Sequence, residues 1–348
     1  MNGKTRRIGD AEKRGGKCFR KFSLSPRLRV AASSLVLAIT LIISIVGVTS
    51  SQTRRRSGAH SSRNREAFSS ADRLIVDRAI VVTCAERVRD PLASVPIDQM
   101  QARPSLPVSD AAAVAGLRRA ERLLPTTREL VATAIDELAR TYHLYTTPAS
   151  RAQVRAAIAR VEAVKRVKPD VDARDNASVL LRDPRTIEFG TIFLAGLRSD
   201  EAMISVLAHE LSHIANGRAD SLRLLFLAIA RRASARTGLR IRGQRAEELS
   251  CDLVGVIAAR DFINENASWE PRPRRLARAF EHNCVDDDTA DEDHLSPRNT
   301  IRTLFALDLK LATEILEGSS SSSSTTSPHG LGELLTGPRE RSLRCEQS

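Results

Sequence analysis

Residues 205–215 read Ser-Val-Leu-Ala-His-Glu-Leu-Ser-His-Ile-Ala, without glycine or proline, and no other stretch limits the possible folds as tightly. At 3.6 residues per turn, side chains four apart stand one above the other. A helix here therefore stacks the imidazoles of His209 and His213 on one face, where both can reach a single metal ion. Glu210 is rotated by roughly 100° from His209, too far to join them easily, yet its carboxylate can reach a water on that metal. Such a pentapeptide supplies two ligands for zinc and a general base. A tetrahedral ion still lacks one protein ligand, so the fold must bring a second element back across this helix.

The expected supplier is Glu247-Glu248-Leu249-Ser250-Cys251-Asp252, on a helix that places Glu248 35 residues beyond His213. Glu248 and Asp252 are four apart and share a face. Glu248 can ligate the metal while Asp252 orients a ligand imidazole from behind. Glu247 and Cys251 are the alternative ligands, and Cys251 fits better as a packed side chain.

Composition narrows the partners. The chain has 348 residues, 42% hydrophobic but only 3% aromatic. Its core must rest on Leu, Ile, Val and Ala, which suits a mostly helical protein. The formal net charge of +12 invites a nucleic-acid partner, but its distribution argues against one. Residues 1–65 hold fifteen Lys and Arg against Asp10 and Glu12, so the remainder is close to neutral. The sequence contains no helix-turn-helix, RNA-binding or phosphate-loop pattern.

Residues 30–48 form an uncharged run of 19 residues, long enough to span a bilayer as a helix. Ten Lys and Arg precede it and five follow closely. The positive-inside rule then keeps the N-terminus in the cytoplasm and exports the rest. The expected order is a basic cytoplasmic segment at 1–29, a transmembrane signal anchor at 30–48 and a flexible linker at 49–70. A folded domain follows at 71–317, with the motifs inside 170–310, and then a disordered Ser/Thr-rich tail at 318–348. Cleavage of the apolar run as a signal peptide is the alternative.

Within the folded part, apolar spacing predicts helices over 69–89, 109–124, 126–138 and 149–166. Thr126-Thr127-Arg128-Glu129 opens the third with a capping-box signature. The four prolines of 91–107 mark a loop. Residues 177–182 and 186–193 are rich in β-branched and apolar side chains around Asp183-Pro184, and read as a strand pair. Ser199 is the expected N-cap of the His-bearing helix. Further helices are expected at 220–236, 244–261, 272–283 and 297–317. The fold class is thus mostly α with a small β-sheet (α+β).

His209-Glu210-Leu211-Ser212-His213 followed by Glu248-Leu249-Ser250-Cys251-Asp252 resembles the M48 peptidases. That family includes membrane-bound CAAX prenyl proteases, a heat-shock protease of bacterial inner membranes and periplasmic quality-control proteases. The resemblance covers about residues 170–310. It implies a gluzincin-type fold with Glu248 as third zinc ligand and a sheet edge that holds substrate extended. Two departures stand out. Arg218 occupies the position where many members carry a further histidine. The His-Pro and downstream Arg of the family are matched only loosely, by His294-Leu295-Ser296-Pro297 and Arg302, which would stabilise the oxyanion. A single hydrophobic segment excludes the multi-span prenyl protease type.

The remaining candidates have plainer readings. The acidic run from Asp286 to Asp293 lacks the glycine and spacing of a calcium loop. His143 and His282 stand alone and read as surface or packed residues. Cys18 precedes the apolar run and cannot pair with exported cysteines; Cys84 and Cys284 are the expected disulfide, although spacing alone fixes no connectivity. The chain is therefore expected to be a membrane-anchored zinc metalloendopeptidase, one Zn2+ per chain, acting on unfolded or damaged envelope proteins. Its catalytic domain would lie outside the cytoplasm, with a mitochondrial membrane as the alternative location. The rival readings are a catalytically inactive binding module of the same type and a tethered helical protein with an accidental motif.

Overall fold

The structure is a computed structural model describing residues 68–179, 183–286 and 288–321. The basic segment at 1–29, the apolar run at 30–48 expected to span a membrane, nearly all of the expected linker and most of the C-terminal tail lie outside the described residues. Among the described helices, none is long and apolar enough to cross a membrane.

The described part is mostly helical, with one three-stranded sheet. It opens with α1 (Ser70–Arg87), capped by a reciprocal Ser69–Asp72 pair. The proline-rich segment after it is not all loop, because Ile97–Gln101 forms a short helix, α2, started at Pro96. The next two expected helices are one. α3 (Ala111–Thr141) runs unbroken through Pro125, capped by Asp110. Thr126 is thus no cap but an interior residue of α3, and the Thr127 hydroxyl donates to the Leu123 carbonyl one turn back. Pro125 removes one helical hydrogen bond. The helix persists because Leu123, Leu124, Leu130 and Val131 on both sides of it are buried in one core.

α4 (Pro148–Glu162) starts at the Thr147 cap and ends earlier than its apolar pattern suggests. The chain then forms β1 (Arg166–Asp170), a strand absent from the sequence reading. β2 (Ala177–Val179) and β3 (Thr186–Gly190) follow. β3 lies in the middle, parallel to β1 and antiparallel to β2, with Val167 opposite Ile187 and Val179 also opposite Ile187. Its central position explains why Thr186, Ile187 and Phe189 are all buried. Pro169, which has no N–H to donate, sits on the edge strand β1, where the sheet tolerates it. The expected strand through 193 stops at Gly190, and α5 (Thr191–Gly196) takes over.

α6 (Asp200–Asn216) carries the histidines. The Ser199 hydroxyl accepts from the Ala202 N–H, as the sequence predicts. Most of its residues are buried, which makes it the central helix of the fold and accounts for its apolar character all round. It ends at Gly217, whose φ of 56° is costly for any side chain. α7 (Arg223–Thr237) buries Leu225, Phe226 and Ile229. α8 (Gln244–Glu265) then crosses back against α6. At the crossing, a Cβ on Gly255 would stand 2.5 Å from the Ser205 carbonyl oxygen, so glycine sets how closely the two helices approach. α9 (Arg272–Arg278), a 3-10 turn at Glu281–Asn283, α10 (Pro297–Leu307) and α11 (Leu309–Ser321) close the fold. The last two were expected as one helix; they break at Asp308.

Candidate metal centre

The α6–α8 crossing brings His209, His213 and Glu248 together as a group that could hold a metal ion. The two Nε2 atoms are 3.1 Å apart, and each stands 3.2 Å from Glu248 Oε2. Ligand atoms at zinc-like distances on a tetrahedral ion are roughly 3.3 Å from one another, so this triangle fits a small divalent cation on one side of its plane. Glu248 is 8% exposed, a position no carboxylate holds without partners. Burial alone would raise its pKa; hydrogen bonds with His209, His213 and His294 hold it well below the usual carboxylate range, in the anionic form a metal needs. Gln244, one turn earlier on α8, donates to the other oxygen, Oε1, at 2.6 Å and fixes the carboxylate's rotation.

Each imidazole is aimed from behind by its own carboxylate. Asp252 Oδ1 lies 2.8 Å from His209 Nδ1, and Glu247 Oε1 lies 3.0 Å from His213 Nδ1. A carboxylate can only accept, so Nδ1 carries a proton in both rings, and Nε2 faces the centre, where a metal would take its lone pair in place of the proton it shares with Glu248. Burial works against the imidazolium form of His209, but the charge and hydrogen bond of Asp252 outweigh it and raise the ring's basicity. For His213, burial is again overcome, here by Cys251, Glu247 and Glu248. Asn216 donates to the same Glu247 oxygen at 3.3 Å. Glu247 therefore orients His213 and does not ligate. Cys251 is buried and free, its sulfur 3.7 Å from His213 Nδ1 rather than at the ligand triangle.

Glu210 is buried and, with His209, borders both of two recesses of about 510 and 590 Å³. Burial raises its pKa, partly offset by the charges of His209 and His213. The first recess runs along β2 past Ser178 and Val179 to Asn216 and Arg218; the second passes Phe193, Asp252 and His282. His294 borders both. Its Nε2 is 3.6 Å from Glu248 Oε2, and its Nδ1 is 3.0 Å from Asp291. The hydrogen bond with Glu248, ahead of the opposing burial, brings its pKa up to about 9. Arg302 is not brought to the centre. It is exposed on α10, with Nε 3.3 Å from Asp77 of α1, and borders neither recess.

Three participants escaped the sequence reading. Gln244 was signalled only by its spacing of four from Glu248. The orienting role of Glu247 needed the relative rotation of α6 and α8. His282 faces the second recess because the 3-10 turn at Glu281–Asn283 happens to lie there. Compared with protein-family models, with curated proteins and with solved structures, the chain matches none.

Proposed function

We propose that this chain is a zinc metalloendopeptidase of the M48, gluzincin-like type, held to a membrane by residues 30–48 with its catalytic domain outside the cytoplasm. One observation carries the reading: a buried residue, Glu210, borders two recesses beside a ligand triangle whose imidazoles are each backed by a carboxylate. A purely structural histidine pair has no need of both recesses and both orienting carboxylates.

His209, His213 and Glu248 would hold the zinc. Bound there, zinc supplies a Lewis acid that polarises a carbonyl and makes water more acidic. The chain's own groups do the rest. An extended peptide lies along the cleft and pairs its backbone with the free edge of β2. Glu210 accepts a proton as water oxygen attacks the carbonyl carbon, and returns that proton to the amine nitrogen as the C–N bond breaks. Its raised pKa suits both halves of the exchange. His294, whose Nε2 lies 3.6 Å from Glu248 Oε2 at the border of both recesses, would turn that N–H from Glu248 to the carbonyl oxygen that gains charge. Arg302 has no part in this. Unfolded or damaged envelope proteins are the substrates that fit, because pairing along β2 needs an extended segment, which an unfolded chain offers.

The test pairs metal analysis with digestion of casein by the full-length chain and its Glu210→Gln variant. Both should carry about one zinc, and the variant should lose roughly 10²- to 10⁴-fold in cleavage. Zinc without cleavage in the wild type would make the chain a binding module; equal cleavage in both would betray a contaminant.

A further inference from the structure

The two recesses that Glu210 borders differ in charge. Among the described residues, the first is bordered by two guanidinium groups, Arg160 and Arg218, with Asp220 as the only carboxylate outside the metal centre and its orienting groups. The second, again among the described residues, has no Lys or Arg on its walls and carries Asp175 and Asp291. Arg160 spends its donors on the carbonyls of Ile214 and Ala215 at the end of α6, so its charge stays without a carboxylate partner. Asp291 is held by the His294 imidazole. Among the described residues, Arg218 and Asp220 of the first recess and Asp175 of the second are in no ion pair; Arg160 and Arg218 outnumber Asp220, so outside the metal centre and its orienting groups the first recess is basic and the second acidic.

Arg218 and Asp175 stand on fixed backbone. Arg218 follows Gly217 in a turn closed by Asp220 N–H to the Gly217 carbonyl, at 3.3 Å, and by Ser221 N–H to the Asn216 carbonyl, at 3.1 Å. Asp175 lies between Arg174, whose carbonyl accepts from Ile192 and Phe193 at the start of α5, and Asn176, whose carbonyl accepts from Gly190 at 2.7 Å. With the backbone already ordered, a ligand that binds either charge has only the side chain left to order.

We propose that the cleft reads opposite charges on the two sides of the scissile bond: Arg218 receives an acidic side chain of the substrate, and Asp175 receives a basic one. The proposal rests on the peptidase reading above and adds a substrate class to it, extended peptides in which acidic and basic residues flank the cut on opposite sides. One exposed pair is worth up to about fivefold, and replacing attraction by repulsion at both ends brings the difference between the two orders to on the order of 10-fold.

The experiment uses two short fluorescein-labelled peptides of identical composition. One carries an Asp run before an apolar centre and a Lys run after it, and the other has the runs exchanged. Binding to the zinc-loaded, full-length Glu210→Gln protein is followed by anisotropy, and cutting by the wild type by mass spectrometry. One order should bind and be cut about 10-fold better. Arg218→Glu combined with Asp175→Lys should invert the preference, which a merely structural role at either position would not do. Equal affinity for both orders, no binding of either, or a preference indifferent to the double reversal overturns the proposal. A preference in binding with no cutting of any peptide leaves the charge reading standing and overturns the peptidase reading; cutting without preference does the reverse.

Discussion

Glu247 and Glu248 are neighbours with different duties, and the difference comes from which face of α8 each occupies. Glu248 shares its face with Asp252 and points at both Nε2 atoms, whereas Glu247 reaches His213 from behind. Glu248→Ala should therefore abolish stoichiometric zinc in metal analysis. Asp252→Asn and Glu247→Ala should each weaken zinc by roughly 10- to 100-fold, the usual loss when an orienting partner goes. Full zinc in Glu248→Ala would move the third ligand elsewhere. Glu281 and His282 illustrate a second residue-scale effect. Burial, helped by the nearby Asp90 charge, pushes the Glu281 carboxyl up to about 8, and burial pushes the His282 imidazole down to about 4. Both are neutral in the fold near pH 6, and both would be charged in the unfolded chain. From pH 4.5 to 6.5, the ordinary values of the two groups, folding takes up one proton at Glu281 and releases one at His282, so the pair adds no slope. Between pH 6.5 and 8 only the Glu281 proton differs; the folded state holds it and the unfolded state does not, so stability falls as pH rises. Glu281→Gln should remove that fall, a gain on the order of a few kcal/mol at the alkaline end. Urea midpoints at the two ends of this window measure it, and parallel curves for wild type and variant would refute it.

At the scale of elements, the α6–α8 contact makes the site. Ser205 and Gly255 meet at the crossing, four residues before His209 and three after Asp252. Gly255→Ala would force the helices apart and draw Glu248 and Asp252 off the histidines. We expect a stability loss of about 1–3 kcal/mol together with lower zinc affinity, read by calorimetry and metal titration. Unchanged affinity would show that the crossing can relax without moving the ligands. The same contact explains what was legible in the sequence. His209, His213 and the Ser199 cap are local, so helical spacing places them. Glu248 and Asp252 also follow from spacing, once one asks what shares a face. β1 was not legible, because Arg166-Val167-Lys168-Pro169-Asp170 has only Val167 buried and is a strand through its pairing with β3. The continuity of α3 was hidden for a related reason: Pro125 and the Thr126 signature argue for a break, and only burial on both flanks overrides them. Arg302 was placed at the site by analogy of pattern, and the fold turns it toward α1 instead.

At the scale of the described domain, the covalent long-range constraint is the Cys84–Cys284 disulfide, which joins α1 to the end of the 3-10 turn across 200 residues of chain. The sequence suggested this pair without being able to fix it, since cysteine spacing carries no information on approach. A cross-link closing so long a loop removes much of the unfolded chain's freedom; native disulfides typically contribute about 2–5 kcal/mol. Such bonds persist in oxidising compartments, so the pairing supports the proposal that this domain is exported. The metal ligands sit on α6 and α8, which this bond does not join. Cys84→Ser with Cys284→Ser should accordingly keep its zinc while its Tm falls by roughly 5–15 °C. The loop from Cys284 to His294 loses its nearest covalent anchor, so peptide cleavage should decline at temperatures below that Tm, where zinc content is still full. Alkylation mass mapping of the protein from intact cells should label Cys84 and Cys284 only after reduction. Labelling without reduction would place the domain in a reducing compartment and remove the main support for export, while an unchanged Tm would mean that packing alone holds α1 against the site.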